Sequence, residues 1–111
     1  MRQRTTTDDN PVLSQVVDRL AAAFQPSRIY LFGSQARGDA GPDSDYDLMV
    51  VVPDDATPRR RSSRLAYEAL RGTGIAADVL VWTRAAFDAR LRLPSSLPAT
   101  IAREGKLVYA T

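Results

Sequence analysis

Two aspartates, Asp45 and Asp47, have the spacing that most clearly indicates chemistry. They stand directly before the apolar run 48–52, which has the character of a buried strand. Residues i and i+2 of a strand point to the same face, so the two carboxylates would project together, with Cα atoms roughly 6–7 Å apart. Carboxylates held that close repel unless a proton or a cation lies between them. A hard divalent cation, which prefers oxygen ligands, is the natural occupant.

A second polar group follows the apolar run 29–32, which ends at Gly33 and Ser34. A glycine at the end of a strand lets the backbone approach a ligand closely. Exposed N–H groups at a following helical turn favour an anion. A metal beside a phosphate suggests a nucleoside triphosphate.

A third carboxylate, Asp78, stands near the start of the apolar stretch 77–82. A lone acid in such a stretch is costly unless it is paired or binds a ligand. If this strand lies beside the strand of Asp47, Asp78 can reach the other two acids. The residues also allow simpler interpretations: Asp78 as an exposed acid at a strand end, and Asp45 with Asp47 as a capping or turn pair.

The ordered pattern G-S-x-A-R-G-x5-S-D-x-D-L, residues 33–48, resembles the signature of the DNA polymerase β-like nucleotidyltransferase superfamily. The closest likeness within it is to the minimal nucleotidyltransferases, small proteins often paired with HEPN-domain toxins in bacteria and archaea. The resemblance covers the chain from about residue 11 to its end.

The resemblance implies a transfer of AMP from ATP at a two-metal site. Asp45 and Asp47 would ligate two Mg²⁺ ions, with Mn²⁺ as an alternative. Asp78 would complete the metal shell and take the proton from the acceptor hydroxyl as general base. The catalytic and metal-binding residues implied are therefore Asp45, Asp47 and Asp78.

The nucleotide-binding residues implied by the resemblance are Gly33, Ser34 and Arg37, together with Asp45 and Asp47. Ser34 and the backbone at Gly33 would hold the β- and γ-phosphates so that pyrophosphate leaves. Arg37 would either contact phosphate or pair with an acid, and the sequence leaves both roles open.

The acceptor is expected to be another macromolecule, because a chain of 111 residues leaves little room for a separate substrate domain. By resemblance, the chain is an antitoxin that adds AMP to a hydroxyl, for example of a tyrosine, on a HEPN ribonuclease. Two other functions stay open: a binding antitoxin that neutralises its partner by contact alone, and a nucleotidyltransferase for a small molecule such as an aminoglycoside.

The amino-acid composition excludes several kinds of functional site. The chain contains no cysteine and no histidine, which excludes thiolate metal sites and His-based nucleophilic triads. A net charge of +2 does not indicate direct binding of nucleic acid. No apolar stretch approaches the roughly 20 residues of a membrane span, and residues 1–9 lack the apolar core of a signal peptide. The cytoplasm is the expected location.

The elements that would position the site form one mixed α/β domain, residues 10–111, after a flexible tail, residues 1–9. We expect a small mixed sheet of three to five strands, helices packed mainly on one face, and Asp45 and Asp47 on a central strand. Predicted strands are 28–32, 45–52, 77–82 and 106–109. Predicted helices start at Asn10-Pro11, Ser34, Thr57-Pro58, Thr83 and Leu97.

Four arginines crowd the first turns of the helix predicted from Thr57, at positions 59, 60, 61 and 64. Cations there oppose the helix dipole. They would contact an acidic partner or nucleotide phosphates, or form a solvated face, and the sequence does not decide between these roles.

Overall fold

The fold is built on one four-stranded sheet, seen in a computed structural model that describes residues 10–38, 41 and 45–111. The predicted tail, residues 1–9, lies outside the described residues. The strand order is β3-β2-β1-β4. Strands β2 and β4 run antiparallel to β1, whereas β3 runs parallel to β2. The strands are β1 Arg28–Phe32, β2 Tyr46–Val52, β3 Ala77–Thr83 and β4 Lys106–Ala110.

Five α-helices connect and cover the strands. Four of the five predicted helix starts are confirmed, and two of these helices have the expected polar cap. The Asn10 side chain accepts from the Leu13 N–H at 3.0 Å, and the Thr83 hydroxyl accepts from the Ala86 N–H at 3.2 Å. The helices are α1 Pro11–Phe24, α2 Ser34–Arg37, α3 Ser63–Ala69, α4 Arg84–Arg90 and α5 Leu97–Glu104.

The helix predicted to start at Thr57-Pro58 was placed too early. Residues Arg59–Arg61 instead form a 3₁₀ turn, and α3 begins at Ser63. The reason is a long-range contact: Arg60 donates from Nε to the Phe24 carbonyl at 2.8 Å and from Nη2 to the Gln25 carbonyl at 3.1 Å. These bonds satisfy carbonyls at the end of α1 and hold the arginine turn against it.

One face of the sheet, here called the closed face, packs against α1 and α3. The larger core lies there, formed by side chains that alternate along the strands with those of the other face. Helix α1 alone buries six residues on this side. The largest fully buried members of this core are Leu20, Phe24, Ile29 and Leu48.

The opposite face, here called the open face, carries the shorter helices α4 and α5. Met49 and Val51 pack there with Phe87 and Ile101, and the Tyr30 ring stacks on Phe87 with centroids 5.3 Å apart. The predicted fold, a small mixed sheet in one α/β domain, is confirmed. The helices are divided more evenly than expected, because α4 and α5 cover part of the second face.

No helix in the described part of the chain has the length and apolar character needed to cross a membrane.

Candidate active site

Three aspartates meet at one end of the sheet. Asp47 of β2 and Asp78 of β3 are direct neighbours in the parallel register. Asp45 precedes β2 by one residue. On the other side of β2, Phe32 pairs with Asp47, which brings the end of β1 and Gly33 to the same point. The pairing of β2 with both neighbours therefore collects residues that are far apart in the sequence.

The carboxylates of Asp47 and Asp78 belong to the open face. Met49 and Val51 pack under α4 and α5, and alternate residues of a strand share a face, so Asp47 points to that side. Asp78 faces the same way because it is in register with Asp47. Asp47 is half-buried, whereas Asp78 is exposed to solvent. An incoming group can therefore reach Asp78 from this side.

Gly33 lies against the carboxylate of Asp47 and could not be another residue without rearrangement. A Cβ atom at Gly33 would overlap a carboxylate oxygen of Asp47 and stand 3.2 Å from its Cγ. Gly33 also has φ +75°, which L side chains rarely adopt. The chain then forms the single turn of α2 from Ser34 and ends it at Gly38, whose φ is +82°.

The electrostatics of the site centre on Asp47. Burial raises the pKa of the Asp47 carboxyl, the negative charges of Asp78 and Asp45 raise this pKa further, and the positive charge of Arg37 opposes them. The sequence prediction left Arg37 between a phosphate and an acid. Its position at the end of α2 places its charge within reach of Asp47.

The donor set fits a hard divalent cation in its chemistry. The negative charges of Asp45 and Asp78 raise the pKa of Asp47, and a cation bound at Asp47 would offset this repulsion. Within residues 10–38, 41 and 45–111, however, no three Asp, Glu, His or Cys side chains form a group that could hold a metal ion by itself. The aspartates thus offer part of a coordination shell, and the remaining oxygen ligands would come from water or from a bound phosphate.

Two arginines of the 3₁₀ turn, Arg59 and Arg60, have partners away from the aspartates. Arg60 caps α1, and Arg59 forms an ion pair with Glu68 at 3.0 Å. Sequence reasoning missed Leu80, which it treated only as part of the apolar stretch 77–82. Because β3 is the outermost strand beside β2, Leu80 is 39% exposed on the same face as Asp78. No local pattern distinguishes an outer strand from a central one, so no signal could have revealed this.

Comparison with known proteins identifies the family of the chain. Residues 13–107 match the family described as the nucleotidyltransferase domain. No curated protein sequence matches the chain.

Three solved structures share the fold, each aligned over 86% of this chain. A candidate nucleotidyltransferase of Sulfolobus solfataricus is 22% identical, with a TM-score of 0.56 and 75% of its chain covered. A toxin–antitoxin structure with AMP-PNP is 24% identical, with a TM-score of 0.57 and 72% covered. A mutant of the toxin–antitoxin pair MntA–HpeT is 21% identical, with a TM-score of 0.53 and 71% covered. At these identities the likeness establishes the fold, and the family match extends over most of the sequence, including every residue of the candidate site. The chain therefore belongs to the nucleotidyltransferase domain family.

Proposed function

We propose that this nucleotidyltransferase transfers AMP from ATP, with Mg²⁺, to a hydroxyl of a partner protein, a HEPN ribonuclease toxin that it thereby neutralises. The observation that carries the proposal is the contact between the Gly33 backbone and the Asp47 carboxylate, beside Asp45 and Asp78. A backbone that can approach phosphate lies directly against an acid that can ligate a metal. This juxtaposition suits a metal–triphosphate better than either ligand alone.

In this proposal Asp45 and Asp47 hold the metal, with Mn²⁺ as an alternative to Mg²⁺. The bound cation would neutralise charge on the phosphoryl oxygens and on the leaving group. Gly33 and Ser34 hold the β- and γ-phosphates, since a side chain at Gly33 would block the approach. Arg37, which already acts on Asp47, adds a positive charge at the edge of the phosphate site.

Asp78 is the residue best placed to meet the acceptor. It is exposed, it neighbours Asp47 in the sheet, and it is proposed to take the proton of the acceptor hydroxyl. The acceptor oxygen then forms a bond to the α-phosphorus of ATP, and the bond from that phosphorus to the bridging oxygen breaks. Pyrophosphate leaves and AMP stays on the acceptor.

Two of the solved structures support the choice of nucleotide and partner. One is a toxin–antitoxin structure with AMP-PNP, an analogue of ATP. The other, MntA–HpeT, is a mutant with two Asp→Glu substitutions two positions apart, the spacing of Asp45 and Asp47. We extend both features to this chain: an adenine nucleotide at the aspartates and a toxin as the acceptor.

The test is labelling of the proposed partner. The purified chain, Mg²⁺, ATP labelled at the α-phosphorus and the HEPN-domain protein are incubated together, and the label on the HEPN-domain protein is measured. We expect label with the wild type and with Asp55→Asn, an exposed acid outside the site. We expect none with Asp47→Ala, although that variant should still bind the partner.

Neutralisation of ribonuclease activity is measured in the same reactions. Loss of neutralisation together with label in Asp47→Ala supports transfer as the mechanism. If Asp47→Ala neutralises as well as the wild type without any label, contact alone suffices and the enzymatic proposal is overturned.

A further inference from the structure

The open face continues beyond the aspartates as an apolar surface on the outer strand. Asp78, Leu80 and Trp82 alternate along β3 and share this face, in register with Asp47, Met49 and Val51 of β2. Successive members are about 6–7 Å apart at their Cα atoms, so the row extends about 13 Å from Asp78 to Trp82.

The row continues onto the end of α4. Arg90, the last residue of α4, lies over Trp82 with its guanidinium carbon 5.5 Å from the centre of the ring. Leu91 and Leu93 follow directly. We call Leu80, Trp82, Arg90, Leu91, Arg92 and Leu93 together the leucine strip.

Leu91 and Leu93 lie in a turn after α4 that several hydrogen bonds stabilise. The Arg90 carbonyl accepts from the Leu93 N–H at 3.0 Å and from the Ser96 hydroxyl at 2.6 Å, and the Leu93 carbonyl accepts from the Ser96 N–H at 2.9 Å. Arg103 donates to the Pro94 carbonyl at 3.1 Å. Leu91 is nevertheless 37% exposed and Leu93 50% exposed. These bonds hold the backbone of the turn in the conformation that leaves both leucines exposed.

The distribution of exposed apolar side chains singles out this side of the molecule. In the described part of the chain, five large apolar side chains are exposed, and three of them, Leu80, Leu91 and Leu93, belong to the leucine strip. Scattered single residues would need no explanation, but Leu91 and Leu93 directly follow Arg90, which lies on Trp82, and Leu80 shares the face of Trp82 and Asp78. Exposed apolar side chains grouped in this way indicate an interaction surface. The other two, Val12 and Tyr67, lie on α1 and α3.

Charge indicates what the strip would bind. Arg90 lies at its centre and Arg92 stands exposed between the leucines, while Asp88, the acid nearest in sequence, is paired with Arg28 at 2.8 Å. An apolar surface with arginines at its centre and edge matches an apolar partner surface flanked by carboxylates. An anionic membrane fits less well, because the strip runs directly into the negative charges of Asp78 and Asp47.

We propose that the leucine strip is the docking surface for the acceptor protein, which binds through apolar side chains flanked by acidic ones. This inference rests on the proposed function, because it names the surface that delivers the acceptor hydroxyl to Asp78. An acceptor lying along the strip reaches that acid at its end, so docking and delivery use one continuous surface.

The test compares single substitutions in the strip with matched substitutions on the closed-face side. Leu93→Asp and Arg92→Glu are measured against Val12→Asp, a similarly exposed position on α1, and Arg61→Glu, an exposed arginine of the 3₁₀ turn. Calorimetry without nucleotide gives the affinity for the HEPN-domain protein. We expect each strip variant to weaken binding about tenfold or more and each control to change it less than about twofold.

Three further readouts separate this inference from the proposed function. Affinity for Mg–ATP should be unchanged in the strip variants, and transfer should regain its wild-type rate at saturating acceptor. If the strip variants bind the HEPN-domain protein as tightly as the wild type, the docking surface is overturned while transfer stands. If binding depends on the strip but neither the wild type nor any variant transfers AMP, the docking surface stands and the enzymatic function fails.

A membrane is the alternative occupant of the strip. Binding of the wild type to phosphatidylglycerol vesicles that is lost in Leu93→Asp would assign the strip to membranes and overturn the proposal.

Discussion

The two faces of the sheet are covered to very different extents. On the closed face, α1 buries six residues in a continuous row, and α3 adds Leu65 and Ala66. On the open face, the short helices α4 and α5 contribute mainly Phe87 and Ile101, and Leu80 stays partly exposed. The uncovered part of the open face is where the aspartates lie. Stability thus comes mostly from one face, while the other keeps water and ligands in reach of charged groups that a closed core would exclude.

Asp47→Ala should have the largest effect, because it should abolish transfer on the open face without lowering the stability that the closed face provides. Loss of a metal ligand removes stabilisation of transition-state charge worth several kcal/mol, so AMP transfer should fall by about 10³-fold or more. The thermal midpoint should not fall, because the substitution removes a carboxylate that its neighbours repel. Rate assays and thermal unfolding of the same preparation give both quantities. A large loss of midpoint would show that the open face also supports the fold.

Leu20→Ala on the closed face should show the opposite pattern. Leu20 is fully buried in α1, and truncation of such a side chain costs about 2–5 kcal/mol in the free energy of unfolding. Transfer per folded molecule should be unchanged. Denaturant unfolding measures the loss, and Val12→Ala on the exposed side of α1 is the control, with a change within about 0.5 kcal/mol. Lost activity in the folded fraction would mean that the faces are coupled.

Gly33→Ala should be the exception that affects both properties. The new Cβ would collide with the Asp47 carboxylate, and φ +75° is unfavourable for alanine, at a cost of about 1–3 kcal/mol. We expect a lower midpoint together with weaker binding of Mg–ATP. Gly38→Ala is a useful comparison, because it shares the positive φ but a Cβ there meets nothing within 4 Å. Equal nucleotide binding by both variants would argue against a close approach at Gly33.

The smallest expected effect concerns pH. Since the folded-state pKa of Asp47 is raised above its ordinary value of 3.8, the stability linked to its protonated form is complete below pH 3.8. That stability is lost as pH rises through the raised pKa. Without metal, Asp47→Asn should therefore gain in midpoint over the wild type as pH rises from 3.8, and then level off. Thermal melts of Asp47→Asn and of the control Asp55→Asn from pH 3.8 upward measure this gain. An equal pH dependence of the midpoint in both variants would refute the raised pKa of Asp47.

Much of this arrangement could be predicted from local sequence, because local chemistry determines it. Asn10 and Thr83 cap their helices as expected, and the apolar runs of β1 to β3 form strands. The meeting of Asp47 with Asp78 required only that their strands be neighbours. The Arg60 contact with the end of α1 could not be foreseen, since its partners lie far away in the sequence. The packing of α4 and α5 on the open face could not be foreseen either. Each of these short helices buries too few side chains for the sequence to show which face of the sheet it covers.

The parallel pairing of β2 with β3 also has a consequence for how the protein is made. Asp45 and Asp47 emerge from the ribosome before α3, whereas Asp78 follows only after the crossover through α3. Parallel strands cannot be joined by a tight hairpin, so their pairing is non-local and slow to form compared with the antiparallel β1–β2 pair. A nascent chain therefore contains two of the three aspartates before it has the third. The proposed site is therefore completed late in synthesis, when β3 pairs with β2 and brings Asp78 beside Asp47.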